Sequence, residues 1–329
     1  MRSRLQYLLL GAALALLAFG VTGPAALEVP AAHPVTPYGA CVALAALAGA
    51  VLLDVAGKRY ARVLPGGPRT AALFMLCGFV GARLPYCLLR LPYYMEVGFV
   101  HMLMTREGGF LLYGALSGVA AAAWLLTRGD RGSFAEAMDE LTLPGLAVIA
   151  LCRLAEGFAG EGLGDWVEEG FFCRLPFAAP NVYGEYQWAL FIPEALAAVC
   201  IFAACRNEPT GEGRRAQRAL TLYAACQIVL ESLRMDGVLK IGFVRVSQVI
   251  SAAALLVILL VRSRGNRPVA IAARVLLFGA LVALVGGIEW ALDKTPVSNV
   301  LLYLLMAAAC AGMAWTVISA RQNPGKPCE

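Results

Sequence analysis

Three groups of ionisable residues sit inside apolar stretches of this chain. Arg83 lies in Gly78-Phe-Val-Gly-Ala-Arg-Leu-Pro-Tyr86. Arg153 and Glu156 open a second run that continues to Glu161 and Gly164. Glu231, Arg234 and Asp236 form the third. A charge at the bilayer centre costs roughly 2.5–3.5 kcal/mol on insertion scales, so each group is a functional candidate. Arg153 and Glu156 are three residues apart, as are Glu231 and Arg234, so each pair can meet on one helical face. Two chemistries fit. One is structural, an ion pair stitching helices together. The other is a pocket for an anionic headgroup, because a guanidinium stays charged in apolar surroundings and binds phosphate through two parallel hydrogen bonds. Gly157, Gly160, Gly162 and Gly164 should break the helix just after Arg153. Broken helices at membrane depth are tolerated where they line a buried or wet cavity, and their exposed N–H groups suit an anion. Gly108, Gly109, Gly114 and Gly118 read first as close helix packing.

Apolar helices must position these residues. Of the 329 residues, 60% are hydrophobic and 15% charged. Soluble chains average roughly 45–50% and about 25%. That excludes a pair of soluble domains and excludes disorder. It leaves an all-α polytopic membrane bundle. A span needs about 20 mostly apolar residues. Ten stretches qualify: 5–26, 37–57, 70–91, 109–127, 139–157, 187–205, 217–234, 243–262, 270–290 and 298–319. No stretch shows the alternation of a membrane β-barrel.

The net charge is +5. Its basic residues cluster between apolar runs, at 2–4, 58–69, 128–131, 206–218, 262–274 and 321–326, which together hold 18 of the 27. That is a topology signal and not a nucleic-acid surface. It places both termini in the cytoplasm if the first helix is uncleaved. The apolar stretch from Leu5 to Thr22 exceeds the roughly 7–15 residues of a signal core, which favours an anchor over a cleaved leader. The segment 158–186 is the longest outer connection and reads as a small cap. The ten cysteines lie mostly in apolar runs and form no CxxC pair. With two histidines, no metal site and no cofactor motif is read.

Several of these stretches, in order, resemble the bacterial prolipoprotein diacylglyceryl transferase family over roughly residues 36–263. Tyr38-Gly39 opens the similarity. Gly81-Ala-Arg-Leu-Pro-Tyr86 and Pro92-Tyr-Tyr94 follow. Arg106-Glu-Gly-Gly-Phe-Leu-Leu-Tyr-Gly114 then meets a family stretch of the form W-x-G-G-M-S-F-H-G. Cys152-Arg-Leu-Ala-Glu-Gly-Phe-Ala-Gly-Glu-Gly-Leu-Gly164 meets the signature G-R-L-G-N-F-I-N-G-E-x-x-G without a gap. Pro193-Glu194-Ala195, Glu231, Arg234 and Ser247-Gln248 complete the set.

The resemblance implies a transferase that moves diacylglyceryl from phosphatidylglycerol to the lipobox cysteine thiol of a preprolipoprotein, in the bacterial plasma membrane. It implies no cofactor and no nucleic acid. It puts Arg153, Tyr113, Glu231, Arg234 and Tyr38 among the catalytic residues. Arg153, Glu156, Glu161, Gly164, Gly114, Gln227 and Arg83 fall on the substrate side. Within that pattern Arg153 would clamp phosphate, Tyr38 would donate a hydrogen bond, and Glu161 and Gly164 would shape the floor. Arg83 matches the motif and also suits a structural role.

The chain departs from the pattern at chosen places. The family histidine is Tyr113, the signature asparagines are Glu156 and Ala159, and an arginine is Gln227. Tyrosine, with an unperturbed pKa of about 10, donates a hydrogen bond better than it accepts a proton. The alternative reading is therefore a family member that binds lipid or a membrane partner without transfer. A transporter reading finds no inverted repeat to support it. The expected organisation is an N-terminal helix or anchor over 1–35, a transferase-like core over 36–263 and a two-helix extension over 264–329. The extension reads as packing.

Overall fold

The computed structural model describes residues 2–21, 35–59, 63–105, 108–167, 170–174, 176–181, 183–235, 239–294 and 298–320. Arg106, Asp236 and the region of the possible leader cleavage site after Gly23 lie outside them. Each of the ten apolar stretches falls on a helix: α1 Arg2–Gly20, α2 Pro37–Arg59, α3 Pro68–Leu89, α5 Leu112–Leu126, α6 Arg131–Ala155, α7 Phe191–Cys205, α8 Arg214–Leu233, α9 Val246–Arg262, α10 Pro268–Lys294 and α11 Asn299–Ile318. An eleventh, α4 Leu91–Val97, starts directly after the turn at Arg90, with Pro92 in its first turn.

Among the described residues five helices are long and apolar enough to cross a membrane, over Pro37–Val55, Pro68–Leu89, Arg131–Ala159, Pro268–Lys294 and Asn299–Ile318, and four shorter ones are also apolar. Their outer faces carry exposed Leu, Val, Phe and Trp side chains such as Leu84, Leu88, Val257 and Trp315. The protein is an all-α, multi-pass membrane bundle. α8 has the length of a span but carries Arg218, Gln227 and Glu231, and it buries its polar side chains Thr221, Gln227 and Glu231 against protein.

Several boundaries differ from the hydropathy reading: the stretches at 187 and 243 open on short strands before their helices start at Phe191 and Val246, and one helix starts early for a plain reason. α6 begins at Arg131 rather than near 139 because Asp130 caps it, accepting the Ser133 N–H at 2.8 Å. Hydropathy sees only the apolar part of such a helix. The connection after α6 also holds more order than its composition suggested. It folds a three-stranded antiparallel sheet, β1 Leu163–Trp166, β2 Ala178–Pro180 and β3 Tyr186–Ala189, in the order β1-β3-β2, with Leu163 opposite Ala189 and Ala179 opposite Gln187.

The chain divides into two compact units, residues 1–216 and 217–329. In the first, α3 packs on α5, α6 lies against α2 and α7, and α1 packs on α2 and α3. The α3–α5 crossing is unusually close. A side chain at Gly81, Gly114 or Gly118 would collide with backbone of the opposite helix. In the second unit Ala224 and Ile228 of α8, Leu255 and Leu259 of α9, Phe278 and Ile288 of α10, and Met306 and Met313 of α11 share one core. A hairpin of β4 Lys240–Ile241 and β5 Val244–Arg245 precedes α9.

Candidate functional site

The Arg153 side chain leaves the last turn of α6. The helix ends at Ala155, tightens into a 3₁₀ turn over Glu156–Ala159, and stops at Gly160 with φ +67°, a left-handed conformation that glycine adopts without strain. The four glycines therefore break the helix where their spacing predicted. Within this break Arg153 Nη1 meets Glu156 Oε1 at 2.5 Å and Glu194 Oε2 at 3.0 Å. Glu194 comes from the first turn of α7 and is 1% exposed. One guanidinium nitrogen thus holds two buried carboxylates. The intrahelical pair inferred from spacing forms, and a second acid from another helix joins it.

The turn is built around that cluster. A side chain on Gly162, at φ +70°, would stand 2.9 Å from the Glu156 carboxylate and 2.9 Å from Phe191. The Glu161 N–H donates to the Glu156 carbonyl at 3.1 Å, and the Phe191 N–H to the Gly162 carbonyl at 3.0 Å. Gly164 is buried in β1. Tyr38, the second residue of α2, is half-buried within electrostatic reach of Glu156, Glu161 and Arg153. The structure therefore gathers Tyr38, Arg153, Glu156 and Glu161, and adds Glu194. Sequence reasoning noted Glu194 as part of a motif and left it out of the site. The signal was there, since an acid at the head of the apolar run 191–205 needs a partner.

Arg83 is a different kind of arginine. It is 6% exposed. Its guanidinium donates to the carbonyls of Met102 at 3.1 Å, Gly109 at 3.1 Å, His101 at 3.1 Å, Met104 at 3.2 Å, and also of Gly108. The rings of Tyr86 and Phe110 lie 5.8 and 5.7 Å from it. Arg83 fastens the connection between α4 and α5. Gly114 lies in the α3–α5 contact against Gly81, and Tyr113 is half-buried beside it at the start of α5.

In the second unit Gln227 Nε2 donates to Glu231 Oε2 at 2.8 Å, both residues almost fully buried. α8 stops at Leu233, so Arg234 sits beyond the helix that its spacing from Glu231 suggested; its N–H donates to the Glu231 carbonyl at 3.2 Å. Gln248 accepts the Arg245 N–H at 3.0 Å, and its amide donates to the Ile228 carbonyl at 3.1 Å and to Glu289 of α10. Arg245 donates to the Arg234 carbonyl. Arg245 and Glu289 were missed as members of this group. Among the described residues no cluster of three or more His, Cys, Asp or Glu suits a metal ion.

Residues 24–263 match the sequence profile of the prolipoprotein diacylglyceryl transferase family, which spans well over half of the chain. Relatives named phosphatidylglycerol–prolipoprotein diacylglyceryl transferase are similar over the same region. The Clostridium novyi protein is 27% identical over 190 residues, 55% of this chain and 73% of the relative. One from Clostridium botulinum is 26% identical over 183 residues, 54% of this chain and 71% of its own. That of Thermotoga petrophila is 27% identical over 208 residues, 55% and 64%. The aligned region, the gapless signature around Arg153 and the buried ion cluster that the signature builds agree, and the chain belongs to the prolipoprotein diacylglyceryl transferase family.

Proposed function

We propose that this chain transfers a diacylglyceryl group from phosphatidylglycerol to a cysteine thiol in the lipobox of a preprolipoprotein. The observation that carries the reading is the Arg153–Glu156–Glu194 cluster, held on a broken membrane helix by the stretch that matches the family signature. The reaction forms one C–S bond and breaks one C–O bond. The cysteine sulfur attacks the glyceryl carbon that carries the phosphate, glycerol phosphate leaves, and the thiol proton balances the charge that develops on the departing phosphate.

The chain's own groups divide this work. Arg153 donates to phosphate oxygens, with Glu156 and Glu194 holding the guanidinium in place until lipid competes for it. Tyr38 and Tyr113 donate hydrogen bonds. Glu161 and Gly164 shape the backbone floor under Arg153. Gln227, Glu231 and Arg234 form a polar group of their own within the second unit. Arg83 and Gly114 act on the site by fixing the α3–α5 region. The same reading places the protein in the bacterial plasma membrane with both termini cytoplasmic, treats 36–263 as the catalytic core, and leaves 264–329 as an added helix pair.

The test is direct. Purified protein is incubated with phosphatidylglycerol and a lipobox peptide, and the peptide mass is read. A gain equal to one diacylglyceryl group is expected. No gain, beside an active positive-control enzyme, overturns the proposal.

A further inference from the structure

One end of the second unit is a corner of cations. Arg262, at the end of α9, donates through Nε to the carbonyls of Val317 at 3.1 Å and Ala320 at 3.2 Å, through Nη2 to the Ile318 carbonyl at 3.2 Å, and through Nη1 to Gln217 Oε1 at 3.4 Å. It ties the end of α9 to the end of α11 and to the first turn of α8. The chain then turns through residues 263–267 into α10, and Arg264 and Arg267 of this turn are exposed. The sequence from 239 to 288 carries six basic residues and no Asp or Glu. The first turn of α10 holds no acid either, although the start of a helix attracts negative charge.

Two donors at this corner are unfilled. The hydroxyl of Ser263, a residue 1% exposed, and Arg274 Nη1 are both buried and, among the described residues, have no hydrogen-bond partner. Such groups in a native fold call for an explanation. Ser263 caps the end of α9. Arg274 lies in the second turn of α10, one turn before Phe278 of the shared core. A helical side chain leans toward the start of its own helix, here toward the turn that holds Ser263. Arg274 as a whole is half-buried, and Leu276 and Leu277 beside it on α10 are 74% and 53% exposed. Donors suited to an anion therefore adjoin an apolar surface.

We propose that the α9–α10 corner binds the headgroup phosphate of an anionic membrane phospholipid, with Arg274 and the Ser263 hydroxyl as inner donors and Arg264 and Arg267 as the rim. A phosphate fills both unfilled donors, offsets the clustered positive charge and complements the start of α10. The exposed leucines take the acyl chains, which favours a lipid over free phosphate. Basic pockets between spanning helices are a recurrent form of headgroup site. Arg264, Arg267 and Arg274 lie beyond the stretch that matches the family profile, and the proposal does not rest on the transferase reading.

The detergent-purified full chain is titrated in mixed micelles with phosphatidic acid carrying a fluorescent acyl chain, with the matching phosphatidylcholine, and with inorganic phosphate. Melting is followed with and without each ligand. Phosphatidic acid binds and raises the melting temperature. Arg274→Gln weakens this binding about tenfold, as expected for the loss of one charge-assisted contact, and removes most of the rise. Arg274→Lys loses less. Ser263→Ala, a milder change that covers the case of a misfolded Arg274→Gln, also weakens binding. Phosphatidylcholine binding does not depend on residue 274, and inorganic phosphate binds more weakly than the lipid. An arginine that only packs would lower melting without lipid and leave the lipid-induced rise intact; that result overturns the proposal. So does wild-type affinity for phosphatidic acid in both Arg274→Gln and Ser263→Ala. Inorganic phosphate that raises melting as far as the lipid, or phosphatidylcholine that depends equally on Arg274, overturns it as well.

Discussion

Arg83 and Arg153 are almost equally buried, at 6% and 8% exposed, and both sit in family-like motifs of apolar helices. Their neighbours differ in kind. Arg83 is surrounded by backbone carbonyls of residues 101–109. Arg153 is held by the side-chain carboxylates of Glu156 and Glu194. A carbonyl cannot leave without the chain moving, so an arginine satisfied this way holds a shape. A carboxylate can rotate, and a phosphate can compete with it for the same donors. Burial and motif therefore do not separate the two arginines. The chemical type of their partners does.

The comparison makes its largest claim on stability. Arg83→Ala strands five carbonyls and costs at least about 3 kcal/mol, since hydrogen bonds to charged groups contribute roughly 1.5–3 each. Arg83→Lys fares little better, because three ammonium donors cannot serve five acceptors. Melting in detergent, followed by size exclusion, measures both. Arg153→Lys should behave in the opposite way. It keeps a cation for Glu156 and Glu194, so melting shifts little. Lipobox transfer nevertheless falls about 100-fold, as expected when bidentate positioning is lost. Equal thermal losses in Arg83→Lys and Arg153→Lys would break the distinction between the two arginines.

Smaller effects sharpen it. Gly118→Ala pushes a methyl into the Cys77 carbonyl across the α3–α5 contact, costing roughly 1–3 kcal/mol. Its melting temperature in detergent should fall, by less than that of Arg83→Ala. The smallest effect lies at the other end of α6. Ser133 holds the exposed Asp130 carboxyl below the usual carboxylate range through bonds from its backbone and hydroxyl. A depressed carboxyl contributes stability above its unfolded pKa of about 3.9 and loses it as pH falls through the lower folded value. Asp130→Asn keeps a cap that does not titrate, so the melting temperature of this variant should fall less steeply below pH 4. Parallel slopes for the two proteins would remove Asp130 from the acid response.

Much of the fold was legible in the chain because lipid imposes a simple demand. Backbone must be satisfied within each spanning segment, so apolar length alone marks helices, and each of the ten stretches carries one. The helix break after Arg153 was legible for a local reason, since glycine tolerates the left-handed turn at Gly160. The Arg153–Glu156 pair was legible because a three-residue separation places both side chains on one face. What hydropathy hid was polar order: the capped first turns of α6, and the small sheet over residues 163–189, whose strands are too short to show a pattern.

The sequence by itself determined the solvent, the helices and the family, because each depends on composition, on spacing or on an ordered set of motifs. Only the tertiary structure decided which charges meet. Glu194 stands 41 positions after Arg153 and reaches it from the first turn of α7. Glu289 stands 41 after Gln248 and joins it from α10. The carbonyls that hold Arg83 follow it by 18 to 26 positions. No local periodicity encodes such partners. They are chosen by which helices pack together, and that choice separates an arginine held by loop carbonyls from one held by the carboxylates of two helix ends.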